Sequence, residues 1–350
     1  MKTYLCMLGR DPKLSLLELI AYCNRKNIEY TLLNQTKLLA HITTNKPINV
    51  EELGGIIKIA EPTSIKQLIP SSNKITFSLT LIDSKNILDE LRAFWKEQNV
   101  KALQKFAQMR DIPPSKAKNL DFDLIVFRNI LYKVTSISNP KEYRERDEKR
   151  PSFDPKKVIS IRLAKILINL SEAKNEITDP FCGTGTILQE ALLMGYRVIG
   201  IDLFIDDARK NIEWLGKNYR NKTKFLQGDV TKVLSQMQSV EAIVTEPYMG
   251  PYYKKLPSEQ EAQRTIKELI PLYTNFFTAL HPKIKGKVVI LLPRIRTYMK
   301  TFTLPINEIL QKTGFEIVSP LPSIKLPLEY EKRHSKIERS IYILEAKRKA

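Results

Sequence analysis

Glu176-Ile177-Thr178-Asp179-Pro180-Phe181-Cys182-Gly183-Thr184-Gly185-Thr186 is the segment on which the fold turns. Its first four residues read as a short strand, and apolar residues at helical spacing begin at Thr186 and run to Met194. Between them lie two glycines, which permit tight backbone turning and close approach of a ligand. About twenty residues on, a second strand (Arg197–Ile201) ends in Asp202, where a carboxylate can accept hydrogen bonds from two ribose hydroxyls.

A dinucleotide would use a similar layout, so the differences decide. The third glycine of a dinucleotide loop would stand at Leu188, which is bulky, and Asp179 places a carboxylate where a pyrophosphate would lie. An acid there suits a ligand carrying an ammonium and a sulfonium. S-adenosylmethionine is the expected cofactor, held by Asp179, Phe181, Cys182, Gly183, Thr184, Gly185, Thr186, Asp202 and Leu203. Asp229 and Val230, after the next strand, would take the adenine amino group. Cys182 is read as a packing residue, not as a nucleophile.

Glu241–Thr245 is a further strand, ending in Glu246-Pro247-Tyr248. An acid followed by a turn proline is common anywhere in proteins. After a methyl-donor loop, at this strand, it reads as a catalytic group. An exocyclic base amine is a weak nucleophile because its lone pair is delocalised into the ring. Acceptors for its N–H groups help localise that pair, and Glu246 and the Pro247 carbonyl can supply them. Tyr248 can stack on a base turned out of its helix. The loop Met249–Lys255 adds Tyr252 and Tyr253 as candidate stacking residues, with packing as the alternative.

From about residue 155 helices and strands alternate, which predicts a doubly wound, mostly parallel α/β sheet. Upstream, residues 1–57 and 58–140 read as two small α/β units. In the first, Thr3–Leu8 and Lys37–Thr43 are predicted strands, with helices over Leu14–Asn24 and Val50–Lys58. In the second, Lys74–Leu81 alternates as a strand and Asn86–Glu97 is an amphipathic helix. Phe122–Phe127 and Ile130–Val134 pair around Arg128-Asn129. The basic segment 104–119 is a candidate RNA-contacting loop, and the charge-dense residues 141–154 read as a linker.

Lys and Arg outnumber Asp and Glu 57 to 38, a formal charge of +19 spread along all 350 residues. Such a field favours polyanionic partners. No apolar run reaches the roughly 18–20 residues that a membrane span needs. Cys6, Cys23 and Cys182 show no paired spacing, and His41, His281 and His334 lack ligand company. Neither disulfides nor a metal are expected, and a reducing cytoplasm is the expected compartment.

These residues resemble the archaeal and eukaryotic tRNA guanine-N2-methyltransferases that act at position 10. The start, YLCMLGRDPKLSLLEL, is similar to that family's N-terminal ferredoxin-like segment, and the middle to its THUMP domain. Arg150-Pro151, Leu163-Ala164 and Asn169-Leu170 resemble its lead-in to the catalytic domain, and Tyr330–Ile343 its closing hairpin near the donor pocket. The resemblance implies a Rossmann-like class I methyltransferase domain over 155–350, seven-stranded with a reversed C-terminal hairpin. It also implies tRNA as substrate and, as in some relatives, a small zinc-binding activator protein. The family motif is Asp-Pro-Pro-Tyr, whereas here it is Glu246-Pro247-Tyr248, one methylene longer in the acid and one proline short. A DNA adenine-N6 or cytosine-N4 methyltransferase shares the acid-Pro-aromatic logic and remains the alternative, beside a non-catalytic RNA-binding relative.

Overall fold

The computed structural model describes residues 1–107, 112–153, 159–331 and 335–348. Part of the basic loop at 104–119, Asp154 of the expected linker, the start of the helix expected from Pro155, and His334 lie outside them. The chain forms two compact units, one of residues 1–19 and 26–146, the other of 20–25 and 147–350.

The first unit is built on one eight-stranded sheet. Its elements are β1 (Lys2–Leu8), α1 (Pro12–Lys26), β2 (Tyr30–Gln35), β3 (Leu39–Thr44), β4 (Ile56–Pro62) and β5 (Lys74–Ile82). Then come α2 (Leu88–Glu97), β6 (Lys101–Gln104), the short α3 (Pro114–Ala117), β7 (Phe122–Phe127) and β8 (Ile130–Ile137). Strand order is β2-β3-β1-β4-β8-β7-β5-β6. Because β4 pairs with both β1 and β8, residues 1–57 and 58–140 share a sheet rather than forming separate ones. One apolar cluster accordingly joins Leu5 and Met7 to Ile125, Phe127 and Tyr132.

The helix expected over Val50–Lys58 is only a single 3-10 turn at Val50–Glu52, and Ile56 onward is strand. Gly54-Gly55 breaks the helix. The buried Glu18 carboxylate accepts the N–H groups of both glycines, at 2.7 and 2.6 Å, and a side chain at Gly55 would collide with Ser15 and Glu18. The β7–β8 hairpin turns on Arg128 and Asn129, both at positive φ, as a two-residue primed turn requires. On α2, Leu91 and Trp95 are fully buried, and Trp95 Nε1 donates to the Leu68 carbonyl at 3.2 Å. Where a linker was expected, α4 spans Pro140–Lys149. Pro140 suits a first helical turn, and Lys, Glu and Arg are good helix formers whatever their charge.

The second unit is the expected doubly wound fold. It comprises α5 (Ile161–Leu170), β9 (Glu176–Asp179), α6 (Thr186–Leu193), β10 (Arg197–Asp202), α7 (Asp206–Leu215) and β11 (Thr223–Gln227). There follow α8 (Val230–Gln236), β12 (Ile243–Thr245), α9 (Glu259–Leu280), β13 (Val288–Arg296), β14 (Thr301–Thr303) and α10 (Ile306–Thr313), then β15 (Phe315–Ile317), β16 (Leu328–Tyr330) and β17 (Ile337–Ala346). The main sheet path is β11-β10-β9-β12-β13-β17-β15, with β14 on β13 and β16 on β17. The first five strands are parallel and β17 runs against both its neighbours. Strand order reverses between β9 and β12. Ligands of open α/β sheets bind at such a switch point, outside the carboxyl ends of the strands.

Trp214 on α7 is 39% exposed. Leu188 is fully buried and lies over Gly200 of β10, where an added Cβ would sit 2.6 Å from Leu188 Cδ1 and 3.1 Å from Cys182 Sγ. The close packing that a third loop glycine allows elsewhere is met here by a glycine on the strand. Gly200→Ala is therefore expected to destabilise the protein by about 1–3 kcal/mol through overpacking. Urea unfolding measures this, and an unchanged midpoint would contradict the packing.

Candidate active site

The carboxyl ends of β9, β10 and β12 bring Asp179, Asp202 and Glu246 to one edge of the sheet. Asp179 is 2% exposed. Its Oδ1 accepts the Thr245 hydroxyl at 2.7 Å and the Phe181 N–H at 3.2 Å, tying the end of β9 to the end of β12. Burial pushes its carboxyl up to about 7 from the ordinary 3.8, the two hydrogen bonds pull the other way, and the negative charges of Asp202 and Glu246 add to the rise.

Asp202 is held as firmly by backbone. Its Oδ2 accepts the Gly183 N–H at 2.8 Å and its Oδ1 the Phe204 N–H at 3.2 Å. Gly183 and Gly185 both have positive φ. A Cβ at Gly183 would meet nothing within 4 Å, so the turn opens on free space, whereas one at Gly185 would press on Ala208 of α7. The Thr184 carbonyl accepts Asn211 Nδ2 at 2.8 Å, and the same amide group exchanges two hydrogen bonds with the Ser152 backbone. Thr186 Oγ1, at the start of α6, accepts Arg150 Nη1 at 2.7 Å.

The other expected donor residues divide. The Phe181 ring turns into the core, 5.6 Å from Phe276 at 62°. Cys182 is buried, and burial, then Asp179 and Asp202, push its thiol well above the ordinary range, which favours the protonated thiol. Leu203 is exposed, with Phe204 beside it. Asp229 caps α8, its Oδ1 accepting the N–H groups of Thr231 and Lys232. Val230 is buried in the core.

Glu246 is half-buried, Pro247 buried and Tyr248 59% exposed. The Tyr248 carbonyl accepts the hydroxyl of the fully buried Tyr273 at 3.1 Å. Tyr253 packs inward, 2.6 Å from Thr265 Oγ1, while Tyr252 is exposed. Two partners escaped the sequence. Asn211 clasps the loop from α7, and Arg339 of β17 donates Nε to Glu246 Oε1 at 2.5 Å. Arg339 lies 93 residues from Glu246, and only the sheet order brings them together.

A family model described as an RMKL-like methyltransferase domain matches residues 148–310, and one described as a DNA methylase matches residues 27–209. The DNA methylase model covers more than half of the chain, and the chain belongs to that family. Among curated proteins it is 30% identical over 213 residues to a tRNA (guanine(10)-N2)-dimethyltransferase of Pyrococcus abyssi, covering 59% of this chain and 56% of that one. It is 36% identical over 137 residues to the protein of that name in Methanothermobacter thermautotrophicus, covering 36% and 38%. The chain spans about half the length of the curated relatives it matches. The crystal structure of TrmN from Thermus thermophilus shares the fold, with a TM-score of 0.51 over 98% of this chain and 99% of that one at 15% identity.

Asp179 gives the site a measurable pH signature. Between about 4 and 7 the folded methyltransferase binds a proton there that the unfolded chain has released, so stability falls as pH rises through that window. Above about 7 the whole cost of the buried charge is present. Asp179→Asn keeps an acceptor for Thr245 and Phe181 and removes that cost. Its Tm is expected to exceed the parent's by a few degrees at about pH 8 and to match it at about pH 4. Equal Tm values at both would refute the assignment.

Proposed function

We propose that the protein is an S-adenosylmethionine-dependent methyltransferase acting on the exocyclic amine of a guanosine in tRNA, at position 10. The observation that carries this is the buried Thr245–Asp179 hydrogen bond, which places the glycine turn and Glu246 at adjacent strand ends. The residues present fit the donor. The turn at Gly183 opens on space that a side chain would fill, and three carboxylates lie around it, as a cationic ligand requires. Asp179 would face the donor's ammonium, Asp202 its ribose, and the Gly183–Thr186 turn its amino-acid end. Bound there, S-adenosylmethionine supplies an electrophilic methyl group.

The chain's own residues then act on the acceptor. Glu246 accepts a hydrogen bond from the amine N–H and the Pro247 carbonyl accepts the other, which draws the lone pair out of conjugation. Tyr248, exposed beside them, stacks on the base. Fixed orientation of the amine contributes the larger part of the rate. The first unit, read as ferredoxin-like and THUMP-like segments, holds the tRNA, with the chain's charge of +19 supplying long-range attraction. Within this proposal the protein meets its tRNA in the cytoplasm, and a small zinc-binding protein is its candidate activator. The names of the archaeal relatives support guanosine over other bases. The DNA methylase match favours a second possibility, amine methylation of adenine or cytosine in DNA.

Incubation of unmodified tRNA with the donor, followed by nucleoside analysis, is expected to yield N2-methylguanosine or its dimethyl form. Products confined to DNA would support the second possibility, and no product on either would refute both. Glu246→Ala is expected to lower kcat by about 100- to 1000-fold while tRNA affinity stays nearly intact. Asp179→Asn is expected to weaken donor binding by at least about tenfold, read by calorimetry, through loss of a charge facing the ammonium.

A further inference from the structure

Glu246 stands where the resembled motif has aspartate, and its carboxylate meets a cation from a distant strand. Arg339 lies opposite Pro293 of β13 and Tyr330 of β16, so strands on both sides fix its backbone. The two side chains are 10% and 13% exposed. Arg339 Nε donates to Oε1, and Nη1 lies 3.4 Å from the Ile337 carbonyl. Among the described residues no hydrogen bond reaches Glu246 Oε2.

We propose that Arg339 is a positioning residue for Glu246, anchoring Oε1 and leaving Oε2 as the acceptor presented to the base amine. It deepens the function proposed above and rests on it. Glutamate has one more side-chain torsion than aspartate, so an unanchored Glu246 would spread over more rotamers. A guanidinium hydrogen-bonded to one carboxylate oxygen selects one of them. Tyr273 fixes the other end of the tripeptide through the Tyr248 carbonyl. The extra methylene is thereby matched to a fixed cation, and the tripeptide is held without the motif's second proline.

The test combines kinetics with structure. Wild type, Arg339→Met, Arg339→Lys, Glu246→Gln and Glu246→Gln/Arg339→Met are compared for kcat and KM on unmodified tRNA and for donor affinity by calorimetry. Crystal structures of the two Arg339 single variants are determined alongside. Arg339→Met is expected to lower kcat by about 10- to 100-fold with tRNA KM and donor affinity within about twofold. Its Glu246 carboxylate should leave the position seen here, Arg339→Lys should recover part of kcat, and the double variant should be no slower than Glu246→Gln. An unmoved carboxylate, a loss confined to KM or donor affinity, or additive losses in the double variant would overturn the proposal. Should Arg339→Met fail to fold, Arg339→Lys decides: a kcat between wild type and Glu246→Gln supports positioning, and a wild-type kcat overturns it. Wild-type failure to methylate tRNA would count against the proposed function, and the Glu246 position in the variant crystals would then decide the role of Arg339.

Discussion

A buried hydroxyl–carboxylate contact, Thr245 to Asp179, locks the carboxyl ends of the two paired strands between which the sheet reverses its order. Because it is buried, it is strong when made and costly when broken. It fixes the first residue of the glycine loop relative to the strand that carries Glu246. Backbone pairing near Thr178 and Ile243 already holds the two strands side by side, and this contact extends the tie to their carboxyl ends. The same burial raises Asp179 toward neutral pH, so the site holds its charge at the expense of stability. Such conflicts are expected at functional positions.

Around that contact, negative charge is held by groups that cannot easily move. Asp202 is clasped by two backbone N–H groups, and Glu246 by a guanidinium on a strand bonded on both sides. The loop between them is fixed from outside by Asn211 and Arg150, and the helix that follows it sits tightly because Gly200 has no side chain. Each restraint comes from a different element. The loop's shape is therefore a property of the whole second unit, not of the glycines alone.

What the sequence disclosed is what local physics encodes. The strand–glycine loop–helix, the alternation beyond it and the hairpin at Arg128-Asn129 all depend on neighbours within a few residues. Misreadings occurred where local signals conflicted or pairing was remote. Val50–Lys58 has helical apolar spacing, but Gly54-Gly55 and the β-branched run after it prevail. The charge-dense residues up to 154 hold a helix over Pro140–Lys149 that charge density alone did not signal. β6 is short and pairs in parallel with β5, so its only signal is non-local. Arg339 and Asn211 were invisible for a related reason. Nothing near Arg339 marks it as a partner of Glu246, and an asparagine on an amphipathic helix looks like a surface residue until Asn211 proves fully buried.

The central claim is geometric, and a structure of the ternary complex addresses it most directly. A crystal structure with an unreactive donor analogue and a guanosine-containing tRNA fragment should show the analogue over the Gly183–Gly185 turn. Glu246 Oε2 should lie within hydrogen-bonding distance of the guanine amine, with Oε1 still on Arg339. An analogue bound elsewhere, or a guanine amine with no contact to Glu246, would contradict it.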